Sequence, residues 1–287
     1  MSWLTWRLQR STIIAAMALV VVFAVAVLTL DLKNPGGSRA ANGLFVLGPP
    51  AFATIVAVFW GAPMVAREYE HHTYKLVWSR ERPATRWLAV RVVLLLAPLV
   101  VLTIAVNVIE GVLYDRLVTA ALYPPSVATT YDLWLPLQLA TVIAAFGLGI
   151  VVGVVARSSV PAMGITLVGY AALRIGLGGF ARPHLLPPVR YFGAGLPGGS
   201  MYVGGGYLDQ AGHEVSTLDA QGMCRVVSNQ GDFQQCLTRN AITRGFVDAQ
   251  PPDRILGLQL VEFGIYVAIT VVVFAAAWLV LRRRMVV

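Results

Sequence analysis

Charge is scarce in this sequence. Asp, Glu, Lys and Arg make up 13% of its 287 residues, against 57% hydrophobic residues and a mean hydropathy of +0.70. So few ionised groups cannot cover the surface of a soluble domain this long, which excludes an ordinary soluble protein. Lysine is nearly missing: two residues stand against 20 arginines, and alanine and valine are abundant. That bias is the mark of a GC-rich bacterial genome and suggests an actinobacterium. No G-x-x-x-x-G-K-[ST] phosphate loop is present, and the densest glycine stretch, GLPGGSMYVGGGY, has no lysine. The chain therefore has no ATPase site of this kind. The four histidines suggest no metal site, because His71 and His72 are adjacent and would diverge on a helix, while His184 and His213 are far apart. No repeat recurs at a fixed period.

What is abundant is apolar sequence, and it falls in blocks. Ser11–Leu30, Gly43–Ala66, Val92–Ile109 and Leu133–Ala156 contain no charge, Val160–Phe180 contains Arg174 alone, and Ile255–Leu281 contains Glu262 alone. About 20 helical residues rise about 30 Å, the thickness of the hydrocarbon core. The expected fold is an all-α polytopic membrane protein with six transmembrane helices. The first block follows Arg7 and Arg10 like a secretory signal, but it is long for one and is expected to remain as a first membrane helix.

Basic residues orient the chain. With the N-terminus in the cytoplasm, the inner segments hold 12 basic residues against three acids, and the outer segments nine against ten. The whole excess lies on one side, as the positive-inside tendency requires, so both termini are expected in the cytoplasm of a bacterial plasma membrane protein. The pI of about 9.9 then reflects topology and anionic lipid headgroups rather than nucleic acid.

The expected division is 1–180 as helices 1–5, with external connections at Asp31–Asn42 and Glu110–Asp132 and a cytoplasmic hairpin at 67–91; then 181–254 as an external insertion; then 255–287 as helix 6 and a basic tail. Cys224 and Cys236 both fall in the insertion. An oxidising exterior suits a disulfide between them; the alternative is two unrelated thiols.

Residues 61–91 read GAPMVAREYEHHTYKLVWSRERPATRWLAVR. A charged helix leaves the second span, breaks around Ser79–Pro83, and a second helix leads into the third span. Read physically, the hairpin either inserts into a groove on a partner or lies on the headgroups. The stretch resembles the region after helix 2 in type-2 ABC exporter permeases. The pattern is met by Gly61, Pro63, Arg67, Glu68, Glu70, Thr73, Leu76, Trp78, Ser79, Arg86, Trp87, Leu88 and Arg91. It departs at His72, where glycine is usual. The largest external segment, between helices 5 and 6, also matches the layout of the eukaryotic G-subfamily half-transporters. The resemblance implies a permease paired with a second permease, as homodimer or heterodimer, and bound to cytosolic ABC ATPase subunits that carry ATP and Mg. It makes Arg67, Glu68, Glu70, Thr73, Lys75 and Arg86 the coupling residues, with Glu68 and Glu70 meeting basic residues of the ATPase and Arg86 fastening the hairpin.

Arg174 and Glu262 are charges within spans, functional candidates by default. Each lies about 10 Å below the outer surface by helical rise. They either pair as a brace for an external gate or snorkel separately. Phe52, Val56 and Phe59 at i, i+4 and i+7 share a helix face; by the resemblance, they line a central cavity with Thr166 and Tyr170, and otherwise they pack or face lipid. The leading function is export of an amphipathic or hydrophobic compound: a drug, antibiotic, lipid or peptide. The alternatives are a membrane sensor or immunity partner acting through the insertion, and an intramembrane enzyme, for which no convergent polar set is found.

Overall fold

A computed structural model of the chain describes residues 2–70, 84–122, 128–193, 195–224 and 230–284. The described residues are mostly helical. It divides into two compact units, one of residues 1–124, 132–177 and 259–287, the other of residues 125–131 and 178–258.

Unit 1 is built from α1 (Ser2–Thr29), α2 (Pro35–Glu70), α3 (Ala84–Thr119), α4 (Leu135–Ala156), α5 (Ser159–Arg174) and, from Gln259 on, α8 (Ile255–Arg284). Five described helices are long and apolar enough to cross a membrane: Pro35–Glu70, Leu88–Thr119, Leu135–Ala156, Ser159–His184 and Pro252–Arg283. The first apolar run, counted as a sixth span from the sequence, lies in α1, whose apolar part is Ile13–Thr29.

Two helices are longer than the uncharged runs that announced them. The connection expected over Asp31–Asn42 is already helical from Pro35, because the Asn34 side chain accepts from Gly36 N–H and proline takes the first helical position. The loop expected from Glu110 is helical to Thr119. There Leu113 and Leu117 bury against Val27, Ala41 and Phe45. Arg116 in the last turn donates to the Val27 and Leu30 carbonyls, the latter at 2.8 Å. Those carbonyls end α1 and have no partner within their own helix, so the guanidinium serves as their cap.

Within α2, Val56–Gly61 forms a π-helical segment. The chain there runs backbone against backbone with α4. A Cβ on Gly149 would sit 2.3 Å from the Ala57 carbonyl, one on Gly153 2.3 Å from the Ala62 carbonyl, and one on Gly61 2.6 Å from the Phe146 carbonyl. Only glycine permits this approach. Around it lies the main core, which includes Phe52, Val56, Ala57, Trp60, Phe146, Ile150 and Tyr170.

Unit 2, joined in sequence between α5 and α8, departs from the all-α expectation. It holds an antiparallel sheet of β1 (Val189–Phe192), β2 (Met201–Asp209), β3 (Glu214–Ser216) and β4 (Ile242–Gln250), in the order β1-β4-β2-β3. Helices α6 (Thr217–Met223) and α7 (Gln230–Arg239) accompany it. The glycine run Gly204–Gly206 forms the middle of β2, because neighbours on both edges supply its hydrogen bonds. A Cβ on Gly206 would meet the Val215 carbonyl at 2.8 Å, so the close strand approach demands glycine there. The small core of Ala220, Cys224, Leu237 and Ile242 packs with Tyr207 and Phe233.

Gly149→Val is expected to destabilise the protein by about 3 kcal/mol, since neither backbone can move aside. Gly111→Ala, in open space on α3, should be neutral or stabilise by up to about 1 kcal/mol through helix propensity. Thermal unfolding of the detergent-solubilised chain compares the two.

Candidate functional site

The first candidate site is where α2 ends at Glu70 and α3 begins at Ala84; the rest of the expected hairpin, residues 71–83, lies outside the described residues. Arg91 of α3 is buried and its Nη2 lies 2.8 Å from Glu68 Oε1, while its Nη1 donates to the Met64 carbonyl at 3.2 Å. Glu70 Oε2 accepts from the Ser159 hydroxyl at 2.6 Å and from Ser159 N–H at 3.3 Å. A carboxylate there satisfies an orphan donor at the start of α5 and suits the positive helix end. The Arg157 guanidinium stands 5.8 Å from the Tyr69 ring centroid. Glu68 and Glu70 thus hold α2 to α3 and α5 within this chain. Arg67 and Arg86 are exposed, and Thr73 and Lys75 lie outside the described residues.

The second candidate is a polar layer inside unit 1. Arg174, at the end of α5, places Nη2 2.9 Å from Asp132 Oδ2 and Nη1 3.6 Å from Glu262 Oε1 of α8. Glu262 is 1% exposed. Nearby, Asn107 Nδ2 of α3 donates to Gln138 Oε1 of α4 at 2.8 Å and to the Leu133 carbonyl at 2.9 Å. Gln138 Nε2 then donates to Glu110 Oε2 at 3.0 Å. Glu110 is fully buried, and its Oε1 has no hydrogen-bond partner among the described residues. A Cβ on Gly48 of α2 would come within 3.1 Å of that oxygen.

Sequence reasoning leaves Arg174 and Glu262 either paired or snorkelling separately, and misses Asp132 and Glu110. Both fall in an expected loop because the uncharged run ends at Ile109. The signal is nevertheless present: Val112, Leu113, Leu117 and Val118 continue an apolar helical spacing past Glu110.

The aromatic stripe is divided. Phe52 and Val56 are buried in the core, whereas Phe59 is 56% exposed. The i, i+4, i+7 rule assumes 3.6 residues per turn, and the π segment beginning at Val56 adds a residue to the turn and rotates the residues beyond it. Thr166 and Tyr170, one turn apart on α5, are buried, and their hydroxyls have no hydrogen-bond partner among the described residues.

In unit 2 the Cα atoms of Cys224 and Cys236 lie 5.9 Å apart, within disulfide range. Across the sheet, Arg190 bonds Asp248 twice, at 2.8 and 2.9 Å, and reaches Glu214 at 2.5 Å. The hydrogen bonds from Arg190 hold the Asp248 carboxyl below its ordinary range, and the two acids hold the guanidinium above its own. Asp209 is likewise held low, chiefly by the His213 N–H it accepts at 2.8 Å. His184 contacts the Phe180 carbonyl at 3.1 Å, and His71 and His72 lie outside the described residues. Among the described residues no group of three His, Cys, Asp or Glu is placed to hold a metal.

These contacts lead to two expected outcomes. Gln138→Leu strands the Glu110 carboxyl and should cost about 1–3 kcal/mol, part of it recovered when Glu110→Met is added, because the stranded carboxyl is then gone while Asn107 keeps only the Leu133 carbonyl; chemical denaturation in detergent reads both. Because the Asp248 carboxyl is depressed in the fold, its stabilising effect is present above the unfolded value of about 3.9 and lost as pH falls through the folded value. Acid titration followed by circular dichroism should show unit 2 weakening below about pH 4, and Arg190→Gln should diminish that dependence.

A family model described as ABC-2 membrane transporter related matches residues 33–182, from just before α2 to beyond the end of α5. No curated protein and no solved structure gives a significant match.

Proposed function

Because the chain belongs to the ABC-2 membrane transporter related family, we propose that it is the permease subunit of an ATP-driven exporter in the bacterial plasma membrane. Its cargo is an amphipathic or hydrophobic compound such as a drug, antibiotic, lipid or peptide. The family match carries this reading, since it spans the Arg67–Arg91 hairpin and every helix that the hairpin base touches. ATP is hydrolysed, with Mg, by separate cytosolic ABC subunits, and a second permease completes the translocation route. Six helices cross the membrane with both ends inside, anionic lipids meet the basic inner face, and unit 2 lies outside, where Cys224 and Cys236 form a disulfide.

In this reading the hairpin is the coupling element, with Arg67, Thr73, Lys75 and Arg86 toward the ATPase. Glu68 and Glu70 act differently from simple docking charges. Their bonds to Arg91 and Ser159 tie the hairpin base to α3 and α5, so a displacement of the hairpin passes to three helices together. Arg174, with Asp132 and Glu262, braces the external gate. Thr166 and Tyr170 offer buried hydroxyls toward the route, backed by Phe52 and Val56, while the exposed Phe59 faces lipid or the second permease.

Co-purification with an ATPase from the native membrane tests the role, and its absence would sink it. Within such a complex, Glu68→Arg should abolish cargo-stimulated ATPase activity and the double swap Glu68→Arg/Arg91→Glu should restore a substantial part. A docking charge would show no rescue by Arg91, so the swap separates an internal clamp from a contact with the ATPase.

A further inference from the structure

Unit 2 contains a cavity of about 600 Å³, within the range of small-molecule sites. Its position comes from the strand register. Tyr191 of β1, Val247 of β4 and Gly205 of β2 stand in one row across the sheet, and Gly245 pairs with Tyr207 in the next row but one. Side chains alternate along strands, so these residues share the face on which Tyr207 packs edge-on to Phe233 of α7, with ring centroids 6.4 Å apart. Helix α7 covers the end of this face over Tyr207 and Ile242. The remainder becomes the floor of the cavity, which Gln234 and Thr238 of α7 also line.

The floor is bare where it matters. Gly205 and Gly245 both line the cavity, and a Cβ on Gly245 would meet the Tyr207 ring at 3.5 Å, an ordinary contact. Backbone packing therefore does not demand a glycine at 245, and its lack of a side chain leaves room above the sheet. The walls are amphipathic: Tyr191, Tyr202 and Tyr207 each offer a flat ring and a hydroxyl. The other polar groups are the Gln234 amide and the Thr217 and Thr238 hydroxyls, which donate to the Gly205 and Gln234 carbonyls at 3.0 and 2.9 Å and remain acceptors. The lining includes no carboxylate, and its one guanidinium, Arg244, stands 4.9 Å over the Phe192 ring.

We propose that this cavity binds a carbohydrate of one or two sugar rings. A cationic ligand would meet no counter-charge in the lining. A wholly apolar one would strand hydroxyl and amide groups that then lose water without replacement. A sugar ring carries apolar C–H faces to lie on tyrosine and hydroxyls at its rim that both donate and accept, so they match the Gln amide and Tyr hydroxyls and can donate to the Thr oxygens. The assignment rests on unit 2 alone and stands whether or not the chain transports.

The test uses the full chain in lipid nanodiscs, free of glycoside detergents that would compete. Saturation-transfer NMR and calorimetry are run with glucose, N-acetylglucosamine and maltose, and with p-cresol as an apolar ring. At least one sugar should bind, and Gly245→Leu, which fills the floor, should abolish the signal. Gln234→Ala, a change on an exposed helix surface that leaves the fold intact, should weaken binding about tenfold, as loss of one hydrogen bond implies. No binding by any of the three sugars would overturn the proposal. So would sugar binding that Gly245→Leu and Gln234→Ala leave unchanged, and so would binding of p-cresol alone.

Discussion

The close approach of α2 and α4 governs the arrangement of unit 1. Three glycines, Gly61, Gly149 and Gly153, let carbonyl oxygens of one helix stand where side chains of the other would be. Apolar burial drives helices together weakly when the surroundings are lipid, so such dispersion contacts between backbones carry much of the association. The approach coincides with the π segment at Val56–Gly61, where one added residue turns Phe59 outward while Trp60 stays buried. Beyond it, the small residues Ala62, Ala66 and Ala162 pack together. The last turn of α2 is thereby brought to the start of α5, and Glu70 can reach Ser159. The junction of α2, α3 and α5 is a consequence of packing several turns away.

The polar layer obeys a different constraint. Each ionised group between membrane helices has to be paired, so charges gather rather than scatter. Arg174 takes two carboxylates from different parts of the chain, Asp132 and Glu262. Asn107, Gln138 and Glu110 form a chain of donors and acceptors across α3 and α4. The layer exists because α3 runs on to Thr119, which puts Glu110 inside a helix and Arg116 against the end of α1. Unit 2 is held by contrasting means: a sheet, a ladder of charges from Arg190, and a core small enough that the Cys224–Cys236 proximity carries weight in it.

The membrane-spanning character of the chain is legible from composition, as is membership of a permease family from the residues around Arg67–Arg91. Both are properties a sequence displays locally: length and continuity of apolar runs, and a dense motif. Helix ends are less legible. Asn34 and Pro35 mark a start that the eye passes over, and Glu110 marks an apparent end that the buried Leu113 and Leu117 overrule. The sheet of unit 2 is hidden because GLPGGSMYVGGGY has the composition of a loop, and its strand character comes from β4 and β3 on either side.

By itself, then, the sequence determined that the chain lives in a membrane, where its apolar helices fall, and which stretch bears the family resemblance. Apolar length and charge asymmetry act residue by residue, so no partner element is needed to read them. Tertiary structure alone decided the company the charged residues keep. Glu68 meets Arg91 across 23 positions, Glu70 meets Ser159 across 89, and Arg174 meets Asp132 across 42. A carboxylate has the same local sequence whether it docks on another protein or clamps its own helices. The difference lies in which backbone, drawn close by a few glycines, arrives beside it.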